Sequence, residues 1–208
     1  MIRVHHLNNS RSQRVLWLLE EMGTPYEVVC YERDKKTMLA PRELRRVHPL
    51  GKSPIIEDGG QTFAETGLII EYLVQRYRAD LAPPPESDVY WRYKYWLHYA
   101  EGSLMPPLLL KLVIARLGLL GIPARPFVNA QLKLHLDYLE SELAKTPWFA
   151  GERFSAADIM MSFPLEAARA RAGLDQTRPK LMDFLKRIHA RPAYQRALEK
   201  GGTYSYAE

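Results

Sequence analysis

Cysteine is almost missing: Cys30 is the single one in 208 residues. One thiol cannot close a disulfide within the chain, and without a C-x-x-C pair dithiol exchange in its usual form is excluded. Such usage fits a reducing compartment, so a cytoplasmic protein is expected. Long apolar runs are missing too. The greasiest stretch, Leu108 to Ile122, is broken by Lys111 and Arg116, which leaves it too short and too charged to span a bilayer; no membrane partner is expected. The opening MIRVHHLNNSR has no apolar core of a signal peptide. No H-E-x-x-H, G-x-G-x-x-G, Walker loop or G-x-S-x-G occurs, which removes the local signatures of zinc proteases, dinucleotide and nucleotide binders and α/β-hydrolases. His5 and His6 are neighbours on a strand and point to opposite faces, so they do not make a metal site, and no metal is expected.

Nor is there a strong excess of one charge: 29 Lys and Arg against 24 Asp and Glu, a net +5. The mild positive balance suits a small anionic substrate. The cluster Arg42, Arg45, Arg46 reads as the solvated face of a short helix, and no nucleic-acid partner is expected. What is present is ordinary globular material, 47% hydrophobic and 25% charged, ample for a core.

Residues 1–78 alternate strand and helix signals. Ile2 to Leu7 reads as a strand. Val15, Leu16, Leu18, Leu19 and Met22 recur at helical spacing, with Gly23 as a stop. Tyr26 to Tyr31 reads as a second strand, in which Cys30 alternates with Val28 and Tyr26 and is expected to be buried and unreactive. Pro41 fits the first turn of a short helix through Val47. A hairpin and another helix follow, so the order β-α-β-α-β-β-α implies a mixed sheet covered by helices. Residues 79–88, rich in proline and polar groups, read as a stiff linker. From Val89 the signals are helical to the end: a pattern over 89–105 that Pro106-Pro107 must kink or stop, then helices over about 126–145, from Ser155, over 179–189 and over 192–200. Ser155 and Asp158 form a capping-box pattern with Asp in place of Glu and Phe154 as staple partner. The fold expected is an α/β domain at 1–78, a linker at 79–88 and an all-α bundle of about five helices at 89–208.

The densest information lies in HPLGKSPIIEDGGQTFAETGLIIEY, from His48 to Tyr72. A strand entered through Ser53-Pro54 cannot donate to the ladder at Pro54. If the Ser53–Pro54 bond is cis, the backbone of Ser53 faces outward and offers an edge to an extended peptide. Glu65-Thr66 then head a helix, whose free N–H groups and positive dipole end suit a carboxylate. The combination describes a site for a small anionic peptide; a plain strand-hairpin-helix is the other reading.

The first strand ends in Asn8-Asn9-Ser10-Arg11-Ser12. Ser10 and Gln13 make an S-x-x-Q pair, so Ser10 reads either as a helix N-cap or as a donor to an anion at a helix N-terminus. A thiolate is the anion of interest. A free thiol has a pKa near about 8.5, and lowering it to about 7 needs roughly 2 kcal/mol at 1.36 per unit. One charge-assisted hydrogen bond supplies about 1.5–3 kcal/mol. A single placed hydroxyl therefore suffices in magnitude.

On these residues the chain resembles a glutathione transferase, in particular the theta-like bacterial and fungal ones. The motifs NNSRSQRVLWLLEE, LGKSPIIEDG, AETGLIIEYL, YWLHYAEGSLMPPLL, FSAADIMMSFPL and RPAYQRAL carry the likeness over essentially the whole chain. It implies a thioredoxin-like N-terminal domain followed by a helical domain, a homodimer, a role in detoxification, and glutathione as co-substrate. By the same likeness Ser10 would hydrogen-bond the glutathione sulfur, with Arg11 and Asn9 as alternatives. Ser53, beside Pro54, would pair its backbone with the cysteinyl part. Glu65 would hold the γ-glutamyl ammonium, Thr66 its carboxylate, and Lys52 the glycine carboxylate, with His48 as a further candidate at that end.

The likeness also implies an electrophile lying against the first long helix of the second domain. There Tyr95, His98, Tyr99 and Met105 are the pocket candidates. Trp91, Tyr95, His98, Gly102 and Met105 share a helical stripe, which reads equally as core. The activity implied is attack of the ionised thiol on a hydrophobic electrophile. The alternatives are a non-catalytic glutathione-binding or interaction module, or an isomerase, dehalogenase or peroxidase on the same scaffold.

Overall fold

A computed structural model describes residues 1–207. Two compact units emerge. The first holds Met1–Leu81 together with the chain from His189 onward; the second is Ala82–Ile188. The boundary near residue 81 lies inside the expected linker. The end of the chain does not follow expectation: the last helix and the tail belong to the first unit, so the all-α unit stops at Ile188 rather than running to 208.

In the first unit four strands form one mixed sheet in the order β2-β1-β3-β4. β1 (Ile2–Leu7) pairs in parallel with β2 (Tyr26–Tyr31) and antiparallel with β3 (Ile55–Asp58), which pairs antiparallel with β4 (Gln61–Ala64). Gly59 and Gly60 close the β3–β4 hairpin with φ of +56° and +79°, the doubly left-handed turn that matches strand twist and that glycine enters without a Cβ clash. α1 (Ser12–Met22) ends at Gly23 with φ 64°, the left-handed stop its sequence announced. α1 is buried nearly all round, because β1, α3 (Thr66–Tyr77) and α9 (Pro192–Gly201) all pack on it. α2 is a single turn, Leu44–Val47, shorter than expected from Pro41. Cys30 is exposed, not buried, because β2 is the edge strand of the sheet and none of its residues is fully buried.

The second unit contains α4 (Val89–Tyr99), α5 (Met105–Arg116), α6 (Arg125–Leu143), α7 (Ala156–Arg171) and nearly all of α8 (Pro179–His189). Pro106-Pro107 do not stop the helical path. A π-helical turn, Ala100–Leu104, joins α4 to α5 and places both prolines in the first turn of α5, where missing N–H donors cost nothing. The capping box at α7 is as read: the Asp158 carboxylate accepts the N–H of Ser155 at 2.9 Å and of Phe149 at 2.9 Å. Trp96, Phe149 and Phe184 fill the core of this unit.

Candidate glutathione site

Strand register assembles the site. His5 of β1 lies opposite Ile55 of β3, and Ile55 lies opposite Ala64 of β4. The exit of β1, the entry of β3 and the exit of β4 therefore meet at one edge of the sheet. That edge carries Asn9-Ser10-Arg11, Lys52-Ser53-Pro54 and Glu65-Thr66, three segments far apart in sequence. The Ser53–Pro54 bond is cis. Ser53 Oγ donates to the His5 carbonyl at 2.9 Å, which fixes the β3 entry to β1. Among the described residues no backbone group of Ser53 is bonded to another backbone group, so its N–H and C=O remain open. Lys52 is exposed. His48 ends α2, and its Nδ1 accepts the Leu50 N–H at 3.4 Å; it braces the loop before Lys52.

Glu65 precedes α3 with φ 73°, an exposed carboxylate on left-handed backbone. A non-glycine residue held there costs about 1–3 kcal/mol, and such conformations cluster at ligand sites. Thr66 is buried at the first helical position, and the N–H groups of that first turn have no partner within the helix. An anion docked there meets both the donors and the dipole.

The first turn is more elaborate than its sequence suggests. Ser10 is 4% exposed, and its Oγ lies 2.7 Å from Ser12 Oγ and accepts the Ser12 N–H at 3.2 Å. The S-x-x-Q capping box does not form: the Gln13 amide is buried against Gly201 in α9, with neither polar atom hydrogen-bonded. Asn9 sits at φ 49°. Its Oδ1 accepts the Ser205 N–H from the tail at 2.7 Å, so the tail docks on this turn rather than fraying. Arg33, just past β2, donates to the carbonyls of Asn8 at 3.2 Å, Asn9 at 3.3 Å and Met38 at 2.9 Å. Burial and the neighbouring Arg11 lower the pKa of Arg33. Two guanidiniums thus stand by the turn that carries Ser10. Sequence reasoning missed Arg33, Ser205 and the serine pairing, because no local pattern marks a residue whose partners arrive from another strand or from the tail.

The electrophile candidates divide. Tyr95, His98 and Gly102 are exposed, as is Trp91 at 73%. Tyr99 and Met105 are buried. The Tyr99 hydroxyl bonds His135 Nδ1 at 2.5 Å, and its ring packs on Trp96 and Tyr138; burial raises the pKa of that phenol. Tyr99 is thus committed to the core of the helical unit, while Trp91, Tyr95, His98 and Gly102 of the stripe are exposed.

Comparison with known proteins agrees with this geometry. The glutathione S-transferase N-terminal domain matches residues 10–76, and the C-terminal domain of the same family matches residues 115–187. Glutathione S-transferase 3 of Schizosaccharomyces pombe is 36% identical, over 96% of this chain and 88% of its own length. Glutathione S-transferase 1 of Saccharomyces cerevisiae is 32% identical, over 96% and 95%. The crystal structure of a glutathione S-transferase from Actinobacillus pleuropneumoniae superposes with a TM-score of 0.89 at 35% identity, covering 100% of this chain and 96% of that one. A sphingomonad glutathione S-transferase complexed with glutathione gives 0.81 at 25% identity, over 96% and 98%. A thioredoxin-like domain followed by a helical domain defines the class. The chain belongs to the glutathione S-transferase family and is an enzyme of that family.

Proposed function

We propose that glutathione binds along the sheet edge formed by Ser10, Ser53 and Glu65-Thr66, and that its ionised sulfur attacks a hydrophobic electrophile held by the helical unit. The observation that carries this is the strand register: it gathers an open backbone edge, a carboxylate, a helix N-terminus and a hydroxyl turn at one place. The chemistry of each group fits one part of the tripeptide. The Ser53 backbone pairs with the cysteinyl backbone. Glu65 takes the γ-glutamyl ammonium, Thr66 and the first turn of α3 take its carboxylate, and Lys52 takes the glycine carboxylate. His48 supports that end by bracing the loop before Lys52. Ser10 donates to the sulfur, and Arg11 and Arg33 add positive potential. The rate gain comes from thiolate stabilisation and from holding both reactants close.

On the helical unit Tyr95 and His98, with Trp91 beside them, supply the outward surface for the electrophile; Tyr99 and Met105 back it from the core. The protein works as a two-fold homodimer in the cytoplasm, in detoxification, without a metal. The support for that assignment is family likeness together with the single cysteine, and no helix among the described residues is long and apolar enough to cross a membrane.

Asn9 is a second candidate for the thiolate donor. The observation in its favour is that the Ser10 hydroxyl turns inward to Ser12, whereas Asn9 is half-buried and its amide nitrogen is left over once Oδ1 accepts the tail. Calorimetric titration with glutathione, followed by conjugation of an aryl halide, tests the whole reading. Heat and turnover are expected. Binding without turnover over many electrophiles would make the protein a binding module, and no heat at all would end the proposal.

A further inference from the structure

The inward-facing hydroxyl of Ser10 belongs to a buried chain of hydrogen bonds. Ser10 Oγ lies 2.7 Å from Ser12 Oγ, and Ser12 Oγ lies 2.9 Å from His6 Nδ1. The other edge of the imidazole faces the backbone of Gly201 in α9, where a Cβ would stand 3.2 Å from His6 Nε2, and the acceptor that this backbone offers to the ring is the Gly201 carbonyl. Ser10, Ser12 and His6 are 4%, 0% and 2% exposed. A carbonyl only accepts, so Nε2 carries the proton and Nδ1 of the neutral ring must accept. Ser12 has one proton to give. His6 Nδ1 at 2.9 Å outcompetes the Leu7 carbonyl at 3.3 Å. Ser12 Oγ is left as an acceptor, from the Leu7 N–H at 3.2 Å and from Ser10. Every proton in the chain points inward, toward α9.

We propose that Ser12 and His6 are positioning residues that set the thiol acidity of bound glutathione by holding the Ser10 proton away from the sulfur until the thiolate draws it back. This rests on Ser10 as the thiolate donor. When Ser10 donates to sulfur, one hydrogen bond of the chain is given up. Either the Ser10–Ser12 bond opens, or Ser12 turns to Ser10 and leaves His6 Nδ1 without a donor. Burial keeps His6 neutral, with its pKa pushed down to about 4, so no second imidazole proton repairs that loss. The chain thus opposes ionisation by the worth of one hydrogen bond, a few tenths of a pH unit to about one unit. Through Gly201, docking of the C-terminal helix becomes part of thiol activation.

The charged groups on the elements packed around the turn are Arg11 and Arg14 in the turn and α1, Arg33 after β2, and Arg196 and Lys200 in α9, the last two held by Glu20. The tail adds the phenols of Tyr204 and Tyr206.

The test follows the ultraviolet absorbance of the bound thiolate against pH, in parallel with kcat/KM. Ser12→Ala should move the thiol titration down by a few tenths to about one unit, and Ser12→Thr, which keeps the hydroxyl, should restore it. A residue that merely supports the fold would weaken activity and leave the titration in place or raise it. Nitrogen NMR of histidine-labelled protein gives a reading on the native chain, where His6 should be neutral with its proton on Nε2. An unmoved or raised titration in Ser12→Ala, or a proton on Nδ1, overturns the proposal. Ser10→Ala separates this from the parent reading: if it raises the thiol pKa while Ser12→Ala does nothing, the relay falls and Ser10 stands. If Ser10→Ala does nothing, both fall.

Discussion

The Arg191 guanidinium holds both carboxylate oxygens of Glu21, Nε to Oε1 at 2.5 Å and Nη2 to Oε2 at 2.9 Å, across 170 residues of chain. Beside it Glu20 takes Arg196 at 2.7 Å, Lys200 at 2.5 Å and the Tyr26 hydroxyl at 2.8 Å. Two adjacent carboxylates stand in the last turn of α1, the negative end of a helix dipole, where they are unfavourable without cations. α9 supplies the cations, and with them its own attachment. Arg191→Ala should cost about 2 kcal/mol, between the values for exposed and fully buried pairs. Thermal unfolding should show the loss, and hydrogen exchange should show α9 losing protection first. Unchanged protection of α9 would mean that apolar packing alone holds it.

Glu20 gives this attachment a pH dependence. Burial raises its pKa, but hydrogen bonds from Lys200, Arg196 and Tyr26 together outweigh burial and leave it below the ordinary value. A depressed carboxylate contributes stability above its unfolded value, about 4.3, and loses it as the pH falls through the folded one. The melting temperature should therefore drop as the medium is acidified below that value. Glu20→Gln should be less stable at neutral pH and flatter over that range. Parallel curves for the two proteins would remove Glu20 as the titrating group.

Ser10→Ala removes the proposed donor to sulfur. One charge-assisted hydrogen bond corresponds to about one to two pH units of thiol acidity, so the pH–rate profile should move up by that amount. Turnover at neutral pH should fall at least tenfold with little change in glutathione affinity. Asn9→Ala should leave the profile in place. The reverse pattern, a profile moved by Asn9→Ala and not by Ser10→Ala, would make the amide of Asn9 the activating group.

Periodicity was sufficient for β1, α1, α8 and the capping box of α7, because each rests on contacts within a few residues. Gly23 ends α1 where its missing Cβ said it would. What stayed hidden depends on partners from elsewhere. Nothing local marks Arg191, Arg196 and Lys200 as the partners of Glu20 and Glu21. Gln13 looked like the far half of a capping box, yet α9 takes its amide into the core. Asn9 and Glu65 adopt positive φ without glycine, which a residue name does not reveal. Cys30 has the neighbours of a core strand, and only the strand order makes it an edge.

Glu65 separates binding from stability. Its carboxylate is the proposed partner of the γ-glutamyl ammonium, and its backbone is strained at φ 73°. Glu65→Ala should raise the KM for glutathione about tenfold to a hundredfold, the worth of one charge-assisted bond. Glu65→Gly should bind as weakly but unfold later, by about 1 kcal/mol, because glycine adopts that backbone freely. A glycine variant with normal affinity would remove the carboxylate from the site.

Asp158 is the complementary case, a group whose role lies in the helical unit alone. It is fully buried and accepts Phe149 N–H, Ser155 N–H and, at 3.2 Å, Ser155 Oγ. Burial pushes its carboxyl up to about 6, against the pull of those donors. A raised acid has the opposite sign to Glu20: its neutral form adds stability below the unfolded value of about 3.9, and that part is lost as the pH rises through about 6. Asp158→Ala strands two buried N–H groups, at about 1–3 kcal/mol each, whereas Ser155→Ala loses one cap at about 1 kcal/mol. Denaturant midpoints should rank them in that order, and Asp158→Asn should lack the decline between about pH 4 and pH 6. Glutathione affinity, set by residues of the first unit, should stay at the native value in folded Asp158→Asn protein. A large loss of affinity there would mean that Asp158 has a role in glutathione binding besides its role in the fold of the helical unit.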